Sequence, residues 1–127
     1  MKVNGYHSAS ALAGHLINKY KEGNHIYESY EVGYALTGWC LFVDRYCIEQ
    51  IGKLDEGVSF WYSDNLYALQ IQDKGIIHGL FCNIRVDHYA SVTLKMQPAR
   101  IQRKLEIGEI GKYNERRRHY AKREGVN

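Results

Sequence analysis

The sequence predicts an α+β fold in which two N-terminal helices pack on a four-stranded antiparallel β-meander and a basic helical C-terminus closes the chain. Three observations predict it. Apolar residues recur every three or four positions up to about residue 54, the period then shortens to two between short turn-forming clusters, and Lys and Arg concentrate after residue 97. A chain of 127 residues suits one domain that buries a core without disulfides or metal. Residues 1–127 are therefore read as a single domain, with a helix–helix–meander body over 8–97 and a basic helical segment over 98–127.

Residues 8–20 read as the first helix. Ser8 suits the N-cap, Leu12, Leu16 and Tyr20 recur every four residues, and Ala9, Ala13 and Ile17 run beside them. Glu22-Gly23-Asn24 supplies a stop. A second, longer helix is expected over about 27–54, where Leu36, Cys40, Val43, Cys47, Ile51 and Leu54 keep a spacing of three or four. A strand through Leu41-Phe42-Val43 is the alternative, since a short apolar run fits either. Asp44 and Arg45 interrupt the apolar pattern and read as an exposed strip.

The meander is expected from residues 58–62, 66–72, 76–86 and 90–96 as strands. Ser63-Asp64-Asn65 and Asp73-Lys74-Gly75 read as the first two turns. Alternation puts Leu80, Cys82, Ile84 and Val86 on a core face with Ala90, Val92, Leu94 and Met96, and leaves Phe81, Arg85, Tyr89 and Lys95 on the opposite, open face. Pro98 suits a helix start. A short helix over 99–105, an interruption at 107–111 and a second helix over 112–124 complete the reading.

Composition narrows the class. Tyr is abundant, with 11 residues, and suits half-buried faces and contact surfaces. Three Cys in apolar runs fit reduced, buried thiols and not a secreted disulfide framework. No signal-peptide pattern opens the chain and no stretch of about 18 apolar residues occurs, so a cytoplasmic address with no membrane contact is expected. Residues 97–127 hold nine Lys/Arg and four Glu, while the first 96 residues hold eight Lys/Arg and ten Asp/Glu. The body is slightly acidic and the tail basic, which points to an anionic partner for the tail.

Three constellations could carry function. The first is the C-terminal helix, where Lys112, Arg116, His119 and Arg123 share a face that Arg117 and Arg118 widen, with Arg100, Arg103 and Lys104 assisting upstream. A solvated helix face is the plainer reading of the same charges, and the two-helix outline also resembles a helix-turn-helix. The second is the open sheet face of Phe81, Arg85, Tyr89 and Lys95, where rings and cations could hold single-stranded nucleic acid. The third is Arg85, Asp87 and His88 at a strand end, a set that a small ribonuclease could use, although alternation points Asp87 and His88 opposite ways. No C-x2-C or H-x3-H spacing occurs, so neither metal nor cofactor is expected.

The first functional expectation is a small non-enzymatic nucleic-acid-binding or regulatory module that contacts the phosphates of DNA or RNA through the basic helix. The alternative is a protein-interaction module, an inhibitor or adaptor of a larger protein, anchored by aromatics such as Trp61, Tyr62 and Tyr67. A homo-oligomer is compatible with either.

Overall fold

A computed structural model describes residues 2, 4–14, 19–28, 38–59, 61–89 and 92–124, with side chains as far as Tyr120. Its elements are β1 (Ser8–Ala13), β2 (Ile26–Glu28), β3 (Leu41–Val43), α1 (Arg45–Ile51), α2 (Ser63–Asp73), β4 (His78–Val86), α3 (Val92–Lys95) and α4 (Ala99–Glu124). The class is α+β. The sheet is mixed, in the order β2-β4-β1-β3, with β1 parallel to β4 and the two outer strands antiparallel to their neighbours.

This architecture corrects the expected one. The segment read as the first helix begins as the central strand β1, all six residues of which are buried. Since side chains alternate, both faces of that strand are covered. The run Ser-Ala-Ser-Ala-Leu-Ala has a helical spacing and good helix formers, but its small side chains also suit a strand held between two others. Pairing with β3 on one side and β4 on the other decides between them. The second expected helix divides into β2, β3 and the short α1, and the strand alternative at Leu41–Val43 is the one observed. Residues 15–18 and 29–37, parts of both expected helices, lie outside the described residues. Asp44 is not an exposed charge: it caps α1 by accepting from the Cys47 N–H at 2.9 Å and meets His7 at 2.6 Å.

Of the expected antiparallel meander only the 76–86 strand survives, as β4. The Ser63-Asp64-Asn65 cluster starts α2 instead of turning a hairpin, and Leu66, Tyr67, Gln70 and Ile71 are buried at helical spacing. Gly75, at φ 63°, ends that helix. Its N–H donates to Gln72 O at 2.7 Å, the Ile76 N–H donates to Ile71 O at 2.9 Å, and Ile76 packs on Ile71. This is a Schellman stop, closed by the hydrophobic contact that usually accompanies it. Turn signals and helix-end signals use the same residues, so the sequence alone did not separate them. Residues 92–95 form α3, not a fourth strand, and residues 90–91 are outside the described set.

Three apolar clusters hold the layers together. Leu12, Leu80, Cys82 and Tyr20 pack at the sheet, and Cys47, Tyr67, Ile71 and Ile76 join α1 and α2 to β3. Val58, Leu66 and Tyr113 pin α4 against α2. Between sheet and helices lies a buried polar chain. Ser8 Oγ lies 2.9 Å from His78 Nδ1 and Ser10 Oγ 2.8 Å from His78 Nε2, while Ser8 also meets the Tyr67 hydroxyl. Burial lowers the pKa of His78 to about 4 and raises that of Tyr67, so both stay neutral.

No helix among the described residues is long and apolar enough to cross a membrane.

Candidate functional site

The basic C-terminus is one uninterrupted helix, α4, of 26 residues. Ile107-Gly108-Glu109-Ile110-Gly111 does not break it, which removes the helix-turn-helix outline. The helix starts after Pro98, whose carbonyl accepts from the N–H groups of Ile101 and Gln102.

One face of α4 is a dock. Glu109, Tyr113, Arg116 and Tyr120 recur at helical spacing and point at the body. Arg116 grips Asp55 through Nε, at 3.0 and 2.8 Å from its two oxygens, and through its terminal nitrogen at 2.8 Å. The Tyr120 hydroxyl donates to the same carboxylate at 2.8 Å, as does the Gly57 N–H. Burial alone would raise the pKa of Asp55, but Arg116, the Gly57 N–H and Tyr120 outweigh it and hold the carboxyl below its ordinary value. Burial, aided by the hydrogen bond to Asp55, pushes Tyr120 up to about 12. A Cβ on Gly57 would lie 2.7 Å from Arg116 Cγ and Cδ, so glycine makes room for this clasp. Glu109, also buried, accepts from the Ser59 N–H and hydroxyl and from Lys112 Nζ at 2.9 Å.

Of the cations singled out in the sequence, Arg116 is therefore committed inward and Lys112 is tied to Glu109, although Lys112 stays exposed. Arg100, Arg103, Lys104, Arg117, Arg118 and His119 are exposed, and the side chain of Arg123 lies outside the described residues. At about 3.6 residues per turn, Arg100, Lys104, Gly111 and Arg118 fall opposite Tyr113, with Arg103 on the flank and Arg117 nearer the rim of the dock, about 40° round the helix from Tyr113 yet exposed. Arg117 and Arg118 border an open depression that Gly111 and Asn114 complete, and Arg118 Nε donates to Asn114 O at 3.2 Å.

The four residues expected on an open sheet face do not share one. Phe81 is 1% exposed and packs edge-on against Tyr6. Arg85 is exposed on β4 beside Gly14, Tyr89 lies past the strand end, and Lys95 belongs to α3. Because β4 is an inner strand with pairing on both sides and its first five residues buried, no open face exists at Phe81.

The structure instead assembles an aromatic cleft of about 660 Å³ from separate segments: Trp39, then Trp61 and Tyr62 before α2, then Tyr89 after β4, with α3 along one side. His88 stacks on Trp39 at 4.5 Å between ring centroids. Tyr62 takes φ 68°, ψ 7°, a left-handed conformation that costs a non-glycine residue about 1–2 kcal/mol. Its ring stacks on Tyr113 of α4 at 4.6 Å. Asp64 and Asp87 supply carboxylates, and Asp64 accepts from the Gly38 N–H at 3.1 Å. Trp61, Tyr62 and Tyr89 were visible in the sequence as aromatics. Their convergence with Trp39 and Asp64 was not, because the segments are far apart in the chain. The serines and His78 also went unnoticed as a network, since nothing local marks a serine as the partner of a distant imidazole.

The side chains of Arg85 and Asp87 both approach Gly14, while His88 turns to Trp39. Among the described residues no group of three or more His, Cys, Asp or Glu side chains could hold a metal ion. No protein-family model, curated protein or solved structure matches the chain.

Proposed function

We propose that this chain is a non-enzymatic nucleic-acid-binding module whose phosphate contacts come from the outward face of α4. One observation carries the reading. Among the described side chains of α4, six exposed cations (Arg100, Arg103, Lys104, Lys112, Arg117 and Arg118) stand against two exposed carboxylates, Glu106 and Glu115. The cations on the outer side fall into two groups about 20 Å apart along the axis, at about 1.5 Å per residue. Between them lie Gly108 and Gly111, where an added Cβ would touch nothing. A glycine inside a helix costs about 1 kcal/mol relative to alanine. No internal contact requires either one, and a bare saddle between cationic flanks lets a phosphate backbone approach closely.

The test is fluorescence anisotropy with short single- and double-stranded DNA and RNA across a salt series. Point variants are the right probes, because truncation at Gly111 would also remove Tyr113, Arg116 and Tyr120 from the dock. The paired variant R117A/R118A is expected to weaken binding to every sequence and to lower the salt slope on duplex by about 2. Absence of binding at low salt, or a slope that the paired variant leaves unchanged, would overturn the reading. The second reading, a protein-interaction module, is favoured by the convergence of Trp61, Tyr62 and Tyr89 at one cleft. It predicts binding of a protein partner that survives R117A/R118A.

A further inference from the structure

Both tryptophans of the chain, Trp39 and Trp61, line the same cleft. They are joined by Tyr62 and Tyr89, and among the described lining residues the acidic side chains are Asp64 and Asp87. Among the described residues no Lys or Arg lines the cleft, although the chain as a whole is basic at net +3. We propose that this cleft is a binding site for a methylated ammonium group, carried either by a small molecule or by a methylated lysine side chain.

Ring faces carry negative charge density, so a cation over them is attracted, and the attraction grows as water is excluded. Asp64 and Asp87 add Coulombic attraction for a cation and disfavour phosphate or carboxylate ligands, although the Arg85 guanidinium near Asp87 at Gly14 offsets part of the second charge. A primary ammonium is compact and strongly hydrated, and it loses that hydration on entering an aromatic site. Methylation spreads the charge over apolar surface that the rings can cover, so the methylated form gains from both terms. The N-terminus of α2 opens on this cleft and would favour an anion, but Asp64 sits in its first turn and accepts from the Asn65 N–H at 2.8 Å. That carboxylate counters the helix end, so the cleft does not present a bare helix N-terminus to an anion.

Two further features fit a ligand. Tyr89 is 82% exposed at the cleft, a large ring left in water that an occupant would cover. Tyr62 is held in a left-handed conformation where it lines the cleft, and such outliers occur at ligand clamps. A volume of about 660 Å³ falls in the range of small-molecule sites and leaves room for the stem that carries the ammonium.

Because the cleft holds both tryptophans, intrinsic fluorescence of the unmodified full chain reads its occupancy directly. The titrants are tetramethylammonium chloride, choline chloride, a short neutral peptide bearing one trimethyllysine, its unmethylated twin, and adenosine monophosphate, each against sodium chloride at matched ionic strength. The expected result is a saturable change with tetramethylammonium that sodium chloride does not give. The trimethyllysine peptide binding tighter than both its twin and choline assigns the cation to a protein tail. Choline binding at least as well as the peptide assigns it to a small molecule, and either outcome supports the site. D87N and Y89A should each raise the midpoint about three- to tenfold. Y89A replaces a ring that is almost wholly in solvent, so its effect on binding is separable from folding. A response that follows ionic strength alone, or saturation by adenosine monophosphate without saturation by tetramethylammonium, would overturn the proposal. Neither result bears on α4, whose contacts are tested with nucleic acid.

Discussion

Two of the buried polar networks among the described residues are satisfied by opposite means. In the sheet, Ser8, Ser10, His78 and Tyr67 form a chain of neutral hydrogen bonds around a histidine that is 2% exposed. At the α4 dock, Asp55 and Arg116 form a charged pair, supported by Tyr120 and the Gly57 N–H. The difference follows from what each region can reach. In the strands, an imidazole offers one donor and one acceptor to two hydroxyls at no ionic cost. At the dock, Arg116 remains partly exposed and keeps some of its hydration, so ionisation is cheaper there. Burial thus selects neutrality at the centre and charge at the edge.

The largest expected effect breaks the charged side of this comparison. Arg116→Ala leaves the Asp55 carboxylate buried without its main partner and should cost about 3–5 kcal/mol in chemical denaturation. Arg117→Ala, one residue further along the same helix and exposed, should stay within about 0.5 kcal/mol of the parent. Equal losses in the two variants would show that the clasp does not anchor α4.

Acid then separates the two networks. His78 has its folded pKa lowered to about 4, below the ordinary 6.5, so the unfolded chain binds the extra proton more readily. Its contribution is complete above pH 6.5 and is lost as pH falls toward 4, amounting to about 3 kcal/mol over that window. Asp55 also has a lowered folded pKa, so its contribution is present above the ordinary carboxylate pKa of 3.8 and is lost as pH falls through the lower folded value. Stability measured against pH should therefore fall in two stages, with the histidine stage first. A profile flat between pH 6.5 and 4.5 would show that His78 is not buried as neutral imidazole.

Smaller effects sharpen the comparison at glycines. Gly75 takes φ 63° at the stop of α2, and Gly75→Ala should cost about 1–2 kcal/mol by thermal or denaturant unfolding. Gly108→Ala and Gly111→Ala go the other way. Both positions are open and helical, so each substitution should stabilise by up to about 1 kcal/mol. A loss at either would mean that the saddle packs on something within the chain.

Legibility in the sequence was uneven, for reasons that particular residues make plain. The α+β class, the strand over 76–86 and the helical character of the basic tail were readable, because each is a long segment with one consistent pattern. The ordering of helices and strands before residue 76 was not. Ser8–Ala13 and the 66–72 run are short and apolar, and each carries a period that fits either element. At the candidate interface, the concentration of cations after residue 97 was visible as composition. That Arg116 faces inward while Arg117 and Arg118 stay exposed was not, because it depends on where Asp55 lies.

By itself, then, the sequence determined the inventory: a core-forming share of apolar residues, a basic C-terminal helix, eleven tyrosines and two tryptophans to place, and the residues able to end or begin an element. The tertiary structure decided the assignments. It made β1 a central strand by giving it partners on both edges, and it turned a tripeptide that could have closed a hairpin into a helix stop. It also spent one arginine of three on a buried carboxylate and brought Trp39, Trp61 and Tyr89 to one cleft. The physical reason is common to all four. Local preferences among these conformations differ by about 1 kcal/mol or less per residue, whereas pairing a strand, burying a ring or neutralising a carboxylate is worth several times that and depends on residues distant in the chain.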